Sequence, residues 1–550
     1  MTSRLLGSDA MAALGFYSPI SNILYLCYVF ITGTQILCGN SIGRGKAKET
    51  VSIFSTCALI LTVFAVISSV VLFALPAQIA TTLGASGNCH TMLTAYMHNV
   101  SFGVIGMMLY ALFISFLQMN GRDDVLKISL AVMIISNLVL DLFFVEVLRS
   151  GMGGLGLATS ISNILAMVTA LFGVLNSEKH KPVVYLHAGN YNFACLPEMA
   201  KLGSTQVAFN LAIAFRSFAL NILLMKSGGT DAVAVMTVLN MVSCFIGMIP
   251  TGIAGTVLML GSIFNGEKNR RAIEELFVYA MKIAMIMSAV AILLTIIFAP
   301  QIAAVFYSSG TLTWSLTIPM LRIFIWFVVF SSVNSIIQKI HQSQGEVLLS
   351  NVLSITENLI IVAGAFVLST AIGTNGVWLA YPVGNIINPG IMFILIWFEI
   401  KRRPGTIADL MSVGTKNEIP SVNMYTNEIS STEDVVRTSD EIMNFCTERA
   451  LSRETGYMAA LSVEEMAGNI IRYGVVNKRK HSINVYMIVD NGALTMRIRD
   501  DCMMFDTVQY MEQFTQTDKT KNIGIKLVAD TAKEMKYQRL IGFNYLTISF

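Results

Sequence analysis

Charged side chains are scarce in the first 400 residues of this 550-residue chain. That stretch holds 33 of the 71 charged residues, about one position in twelve, whereas residues 401–550 hold 38, about one in four. Soluble proteins carry about 25% charged residues. The first 400 residues therefore cannot present an ordinary water-exposed surface, which excludes a wholly cytosolic enzyme and a disordered chain.

Paired cysteines and clustered metal ligands are also missing. The eight cysteines form no CxxC pair and the six histidines no HExxH motif, so the cysteines are interpreted as small apolar residues. The scarcity of charge in the first 400 residues excludes a secreted disulfide protein. The net charge of +3 gives no basis for nucleic-acid binding. The first apolar run, at 11–38, is too long for the apolar segment of a cleavable signal peptide.

Long apolar runs fill the first 400 residues instead. A helix needs ~20 apolar residues to cross the ~30 Å hydrocarbon layer of a membrane, and helices satisfy their own backbone groups there. Eleven spans are predicted, at 11–38, 51–76, 92–118, 126–148, 153–177, 203–226, 231–259, 273–299, 315–338, 347–370 and 376–398.

Basic residues divide the loops between these spans into two sets. One set carries fifteen lysines and arginines, whereas the alternate loops carry only Arg149 and Lys226. Because lysine and arginine accumulate in cytoplasmic loops, the basic set is predicted to be cytoplasmic. The C-terminal 150 residues of this multi-pass plasma-membrane protein then also lie in the cytoplasm, and residue 1 lies outside.

The membrane region repeats itself at an offset of about 222 residues. The stretch GTQILCGNSIGRG at 33–45 resembles GTVLMLGSIFNGE at 255–267, and two shorter matches follow in order, which indicates duplication. At this offset the whole counterpart of span 203–226 would lie before residue 4. One first-half helix is therefore expected to be absent. Two lobes are predicted, at 1–180 with five spans and at 181–400 with six.

Two like-oriented helix bundles are typical of secondary transporters, and short motifs add a family resemblance. The stretches GSDAMAALG at 7–15, GNSIGRGKAKE at 39–49, QMNGR at 118–122 and MGGLGLAT at 152–159 resemble MATE (multidrug and toxic compound extrusion) transporters. The resemblance implies twelve helices in two lobes and export of organic cations or other drugs in exchange for Na⁺ or H⁺.

Asp141 is an ionisable residue within a predicted span, where such residues usually have a function. Asn137 lies four residues earlier, on the same helix face. A carboxylate beside an amide oxygen can coordinate Na⁺ or carry a proton. By resemblance, Asn137, Asp141 and Thr159 match a MATE cation site. The family adds an aspartate from its first helix, so the site is expected to be incomplete, through a misplaced start codon or a loss of ion coupling.

Arg216 and Glu357 are the other ionisable candidates within spans. They are predicted to form an interlobe pair or to contact a charged substrate in the transport cavity. A structural ion pair is the alternative.

The chain beyond the spans is predicted to form a polar linker and a soluble α+β domain. Its helices are predicted at 432–449, 455–473 and 523–535. Strands are predicted at 482–489 and 493–499, joined by a tight turn, and two more close the chain. The linker covers 401–423 and the domain 424–550.

Four residues of this domain have a spacing that suits nucleotide chemistry. Glu465 can activate water or a hydroxyl group, and Asn469, one helical turn later, can hold Mg²⁺. Asp500 ends a predicted strand, where its carboxylate can accept a hydrogen bond from an adenine amino group. Gly524 opens the last helix, whose free N–H groups can hold phosphate.

Their order and spacing, with the closing GFNYLTISF, resemble the GHKL ATP-binding fold, specifically the anti-sigma-factor serine kinases. The family's DxGxG motif reads Asp500-x-Cys502-x-Met504, without its two glycines. The resemblance implies catalysis by Glu465, Mg²⁺ on Asn469 and adenine on Asp500.

The sequence therefore favours an ion-coupled exporter in the lipid bilayer with an ATP-binding regulatory domain and an organic cation as substrate. One alternative is a membrane-anchored serine kinase or signalling module that binds an anti-sigma antagonist-like protein. Another is a flippase for lipid-linked substrates.

Overall fold

The computed structural model describes residues 2–175, 185–187, 189–401, 403–405, 407–411, 423–474, 481, 483–490, 492–508, 523–540 and 543–550. The chain divides into two compact units. The first comprises Met1–Tyr17, Thr62–His187 and Asn417–Phe550, and the second comprises Ser18–Leu61 and Ala188–Lys416. The predicted lobe boundary at residue 180 lies close to the start of Ala188–Lys416, but the second unit also includes Ser18–Leu61.

The described part of the membrane region is mostly helical. Its helices are α1 Thr2–Tyr25, α2 Tyr28–Gly43, α3 Ala47–Ala74, α4 Pro76–Thr82, α5 Gly87–Val100, α6 Val104–Met119, α7 Asp123–Leu142, α8 Gly151–Leu175, α9 Leu196–Ile246, α10 Met248–Gly266, α11 Arg270–Phe306, α12 Leu312–Phe324, α13 Phe327–Ser343, α14 Val347–Ile372 and α15 Thr374–Ile400. The short helix α16, Ile407–Met411, follows in the predicted linker.

Eleven membrane spans are consistent with these helices. Among the described residues, ten helical stretches are long and apolar enough to cross a membrane, and α12 with α13, which meet at a bend of 44°, makes an eleventh. The exposed positions carry large apolar side chains, such as Phe172, Phe218 and Phe398. Lipid accepts such a surface and water does not, so the predicted multi-pass all-α membrane domain is confirmed.

Helices α2 and α10 contain the repeated stretches at 33–45 and 255–267, and they pack against each other. A Cβ added to Gly43 would clash with the Ile263 carbonyl oxygen, and one added to Gly266 would clash with that of Asn40. Glycine therefore permits this close approach of two backbones. Asn265 Nδ2 also donates to Asn40 Oδ1 over 3.0 Å. The contact explains why Ser18–Leu61 joins the second unit.

The predicted spans 203–226 and 231–259 are separated within α9. Gly229 interrupts this helix with φ 64° and ψ −156°, a backbone conformation that favours glycine. The second of these spans continues through Gly247 into α10.

The C-terminal domain packs helices on an antiparallel five-stranded sheet, as predicted for an α+β fold. Its elements are β1 Met424–Ile429, α17 Thr432–Glu448, α18 Arg453–Asn469, β2 Ile483–Asp490, β3 Ala493–Asp500, α19 Ile523–Thr531, β4 Glu534–Leu540 and β5 Phe543–Ser549. The strand order is β1-β2-β3-β5-β4. Alternate residues of β3, such as Met496 and Ile498, join Val463 and Met466 of α18 in one core.

Two details of this domain differ from the prediction. The sequence analysis places no strand at β1, which pairs with β2. The helix predicted over 523–535 ends at Thr531, because Lys533 N donates to Ser549 O over 2.8 Å and starts the pairing of β4 with β5. The prediction also included residue 482 in a strand, residue 491 in a turn and residue 522 at the start of a helix. These three positions lie outside the described residues.

Candidate functional site

Helix α7 has an apolar exposed side and a half-buried polar side. Asn137 and Asp141 lie one turn apart on the half-buried side, and α7 packs against α8. The exposed side carries Ile134, Ile135, Leu138 and Val139. Lipid contacts therefore fall on the apolar side, and the two predicted cation ligands face protein.

Asp141 has a carboxylate oxygen without a partner. Its Oδ1 is buried and accepts no hydrogen bond within the described part of the chain. Asp141 lies in the last turn of α7, directly before the wider π-helical turn Phe143–Val147, a feature common at functional sites. Burial of an unpartnered carboxylate is unfavourable, so this oxygen is suited to bind a cation or a proton.

Thr159 lies on α8, the helix against which α7 packs. Its hydroxyl donates to the Leu155 carbonyl over 3.0 Å, which leaves the hydroxyl oxygen able to accept. Asn163 Nδ2 donates to the Thr159 carbonyl over 2.9 Å and anchors the same turn. The three predicted cation-site residues thus lie on two adjacent helices, and their role stays a prediction.

Arg216 and Glu357 lie on α9 and α14, which pack against each other within one compact unit. The expectation of an interlobe pair is wrong for this reason. The Arg216 guanidinium carbon lies 5.1 Å from the centre of the Tyr381 ring, a cation–π contact. Its Nε is buried without a hydrogen-bond partner among the described residues, and its charge acts on the half-buried Glu357. Both residues stay candidates for substrate contact.

The C-terminal domain contains a cavity of about 360 Å³ bordered by α18, β4 and β5. Two of the four residues predicted for nucleotide chemistry, Asn469 and Asp500, line it. Most of its wall is apolar or aromatic: Met466, Ile470, Tyr473, Met503, Met504, Phe505, Ile525, Tyr537 and Leu546. An apolar slot with one buried carboxylate suits a flat heterocyclic base that carries an amino group.

Asp500 is held in place by a residue that the sequence analysis did not identify. Asn544 Nδ2 donates to Asp500 Oδ1 over 2.7 Å, and Cys502 N donates to the same oxygen over 3.0 Å. Burial raises the pKa of Asp500, although the hydrogen bonds from Asn544 and Cys502 partly offset the effect. The only sequence signal for Asn544 is its place in the closing strand.

Glu465 lies in contact with Gly524, at the first turn of α19. A Cβ added to Gly524 would overlap the Glu465 carboxyl group, so glycine is what permits this approach. The structure therefore brings together two predicted residues that are 59 positions apart. Neither is among the described residues that line the cavity.

Bulky residues occupy the positions of the family's glycines. Met504 lines the cavity, and the Cys502 side chain lies against Gly474, where an added Cβ would be 3.1 Å from the Cys502 Cβ. The apolar walls of the cavity and its buried Asp500 carboxylate are compatible with an adenine base. Asn469, on the same wall, is the residue that would hold the Mg²⁺ of a nucleotide.

These features define a helical protein with many membrane spans and a C-terminal α+β domain whose cavity suits a heterocyclic base. The MatE family profile matches residues 1–147 and 207–367, more than half of the chain. The chain therefore belongs to the MatE family. A second profile, the histidine kinase-like ATPase domain, matches residues 430–550.

Solved MATE transporters share the fold of the membrane region. One in complex with MaL6 is 21% identical, with a TM-score of 0.66, over 71% of this chain and 88% of that one. An outward-facing multidrug resistance MATE transporter of the MOP superfamily gives the same values. A MOP superfamily transporter from Pyrococcus furiosus is 22% identical, with a TM-score of 0.65, over 73% and 90%. No curated protein matches the sequence. Membership in the MatE family implies efflux transport.

Proposed function

We propose that this protein exports organic compounds in exchange for Na⁺ or H⁺, and that its C-terminal domain binds ATP with Mg²⁺ to regulate export.

 The observation that carries the export half is the buried, unpartnered Asp141 Oδ1 on the protein-facing side of α7. A carboxylate in that position can bind the coupling ion and release it when the lobes change their exposure. Organic cations are the substrate class that we favour, on the family resemblance of the sequence motifs.

Exchange can be tested with purified protein in liposomes. We expect Asp141→Asn to abolish dye efflux driven by a Na⁺ or H⁺ gradient, because the amide carries no charge to compensate the ion. Glu146→Gln is the matched control, since Glu146 is an exposed acid in the adjoining turn. Gradient-driven efflux at the wild-type rate in Asp141→Asn would overturn the proposed role.

The proposed regulation is supported by the anchoring of the linker to the membrane region. Leu410 of α16 packs against a cluster from α14 and α15, and it lines one small cavity together with the buried His341 of α13. Asp409 Oδ2 accepts from Gly405 N over 3.0 Å and holds the turn before α16. The segment before the ATPase-like domain thus packs with membrane helices of the second compact unit, which supports a route from a nucleotide-dependent change to these helices.

Regulation can be tested in the same liposomes with ATP and Mg²⁺ on the side of the C-terminal domain. We expect Leu410→Ala to keep basal efflux and to lose the response to ATP, whereas the volume-conserving Leu410→Met keeps both. An ATP response that survives deletion of residues 423–550 would contradict a regulatory role of the domain. Serine phosphorylation of an added antagonist-like protein without any efflux would instead favour the kinase alternative, and movement of lipid-linked sugar would favour the flippase.

A further inference from the structure

A second polar cluster lies beside the nucleotide cavity, at the end of the β2–β3 hairpin. A ring nitrogen of His481, a carboxylate oxygen of Asp501 and the Sγ of Cys502 all lie within 4.8 Å of one another. Ile483 pairs with Asp500 in the antiparallel ladder, and His481 and Cys502 each lie two residues beyond this pair.

The three donors are sheltered from water. Cys502 is 4% exposed, and the side chains of His481 and Asp501 are 14% and 22% exposed. His481 Nδ1 lies 3.1 Å from Asp501 Oδ1. His481 Nε2 is buried and has no hydrogen-bond partner within the described part of the chain. A buried ring nitrogen without a partner is unfavourable, so the imidazole, whose other nitrogen faces Asp501, lacks one of its two usual contacts.

We propose that His481, Asp501 and Cys502 bind a divalent transition metal of the zinc type. Nitrogen, oxygen and sulfur donors in one small cluster suit Zn²⁺. Tetrahedral coordination at the usual bond lengths requires donor separations of about 3.3–3.6 Å, so side-chain shifts of about 1 Å complete the site. Three protein ligands leave a fourth position for water or another donor. On binding, the Cys502 thiol releases its proton to solvent, and the thiolate bonds the metal.

Metal binding at this site would act on the neighbouring nucleotide cavity. The backbone N–H of Cys502 donates to Asp500 Oδ1 over 3.0 Å, so a metal on the Cys502 side chain would act on the residue that helps to hold the Asp500 carboxylate. This second step rests on the proposed ATP binding, and linkage requires nucleotide and metal to change each other's affinity by the same factor.

The test uses the reduced, full-length protein in detergent, purified through a tag without histidine and stripped of metal by a chelator. Co²⁺ alone is the probe, because a thiolate ligand gives it a near-ultraviolet charge-transfer band and tetrahedral coordination gives it visible bands. We expect one bound equivalent with both signals. Cys502→Ser should abolish the charge-transfer band, and His481→Gln should weaken binding by about tenfold or more. Cys446→Ser, at another buried cysteine of the domain, is the matched control.

Absence of the band in the wild type, or a band that persists in Cys502→Ser, would overturn the proposal. Asp501→Asn is a second test of the site, for the case that Cys502→Ser or His481→Gln does not fold. It should keep the thiolate band and weaken Co²⁺ binding. Asn469→Ala separates the two proposals: it should lose nucleotide and retain Co²⁺. Absence of nucleotide binding in the wild-type protein, with Co²⁺ binding intact, would refute only the ATP proposal.

Discussion

Replacement of Asn544 by alanine is expected to loosen the β3–β5 pair and the nucleotide cavity together. Asn544 is 4% exposed. Its Nδ2 donates to Asp500 Oδ1 over 2.7 Å and to the Met503 carbonyl over 3.0 Å, and its Oδ1 accepts from the Tyr537 hydroxyl over 2.7 Å. One side chain therefore links β4, β5 and the end of β3, and alanine removes all three bonds.

The magnitude follows from the partners that remain buried. A hydrogen bond to a charged group contributes about 1.5–3 kcal/mol and a neutral one about 0.5–1.5 kcal/mol. The three bonds share one side chain and are not additive, so we expect a loss of about 2–4 kcal/mol in local stability. At tenfold per 1.4 kcal/mol, this loss corresponds to amide exchange that is about thirty- to seven-hundredfold faster.

Hydrogen exchange with mass spectrometry on the full-length protein measures this change. The amides of β3 and β5 should lose protection in Asn544→Ala. Asn469→Ala is the control, because it truncates an amide on the α18 side of the same cavity and should leave the strands protected. Exchange of β3 and β5 at the wild-type rate in Asn544→Ala would refute the reasoning.

Three further predictions concern the same domain and the helix repeat. Since burial raises the pKa of Asp500 and the ionised form is the adenine acceptor, ATP affinity should be full above that pKa. The ATP affinity should be lost as the pH falls through the pKa of Asp500, which lies above the ordinary value of 3.8. Equilibrium titrations with ATP measure this loss, and Asp500→Asn should remove the pH dependence. Gly524→Ala should lower the melting temperature of the domain by displacing Glu465, whereas Gly468→Ala, with open space around it, should not; equal melting temperatures would contradict the contact. Gly43→Val should destabilise the detergent-solubilised protein in thermal aggregation measurements, whereas Gly255→Ala, also in open space, should be tolerated.

The membrane region is the part that the sequence predicts best. Each span is an apolar run longer than ~20 residues, and lipid forces such a run into a helix whatever its neighbours are. The break at Gly229 is visible as the loop between two runs. The close packing of α2 on α10 is not visible, because glycines at 43 and 266 have no local signal of a contact between distant parts of the chain.

The candidate sites follow the same division between local and distant signals. Glu465 and Asn469 share a turn of one helix, and their spacing of four residues suffices to predict that they lie on one helix face. Asn544 acts on Asp500 across 44 positions, and only the β3–β5 pairing brings them together. The strand β1 was missed because MYTNEI is half polar, and an edge strand that pairs on one side has no strong apolar pattern.

The departures from the family's glycine pattern bear on what the appended domain can do. Met504 lines the cavity and Cys502 packs against Gly474, so side chains occupy the positions where glycine would give the backbone its freedom. Contact with the base requires Asp500 and apolar walls, and both are present. Turnover requires in addition that the phosphates be held in line for attack, which depends on the replaced glycines. We therefore expect hydrolysis to be lost before binding, and binding alone would suffice for the regulation of transport that we propose.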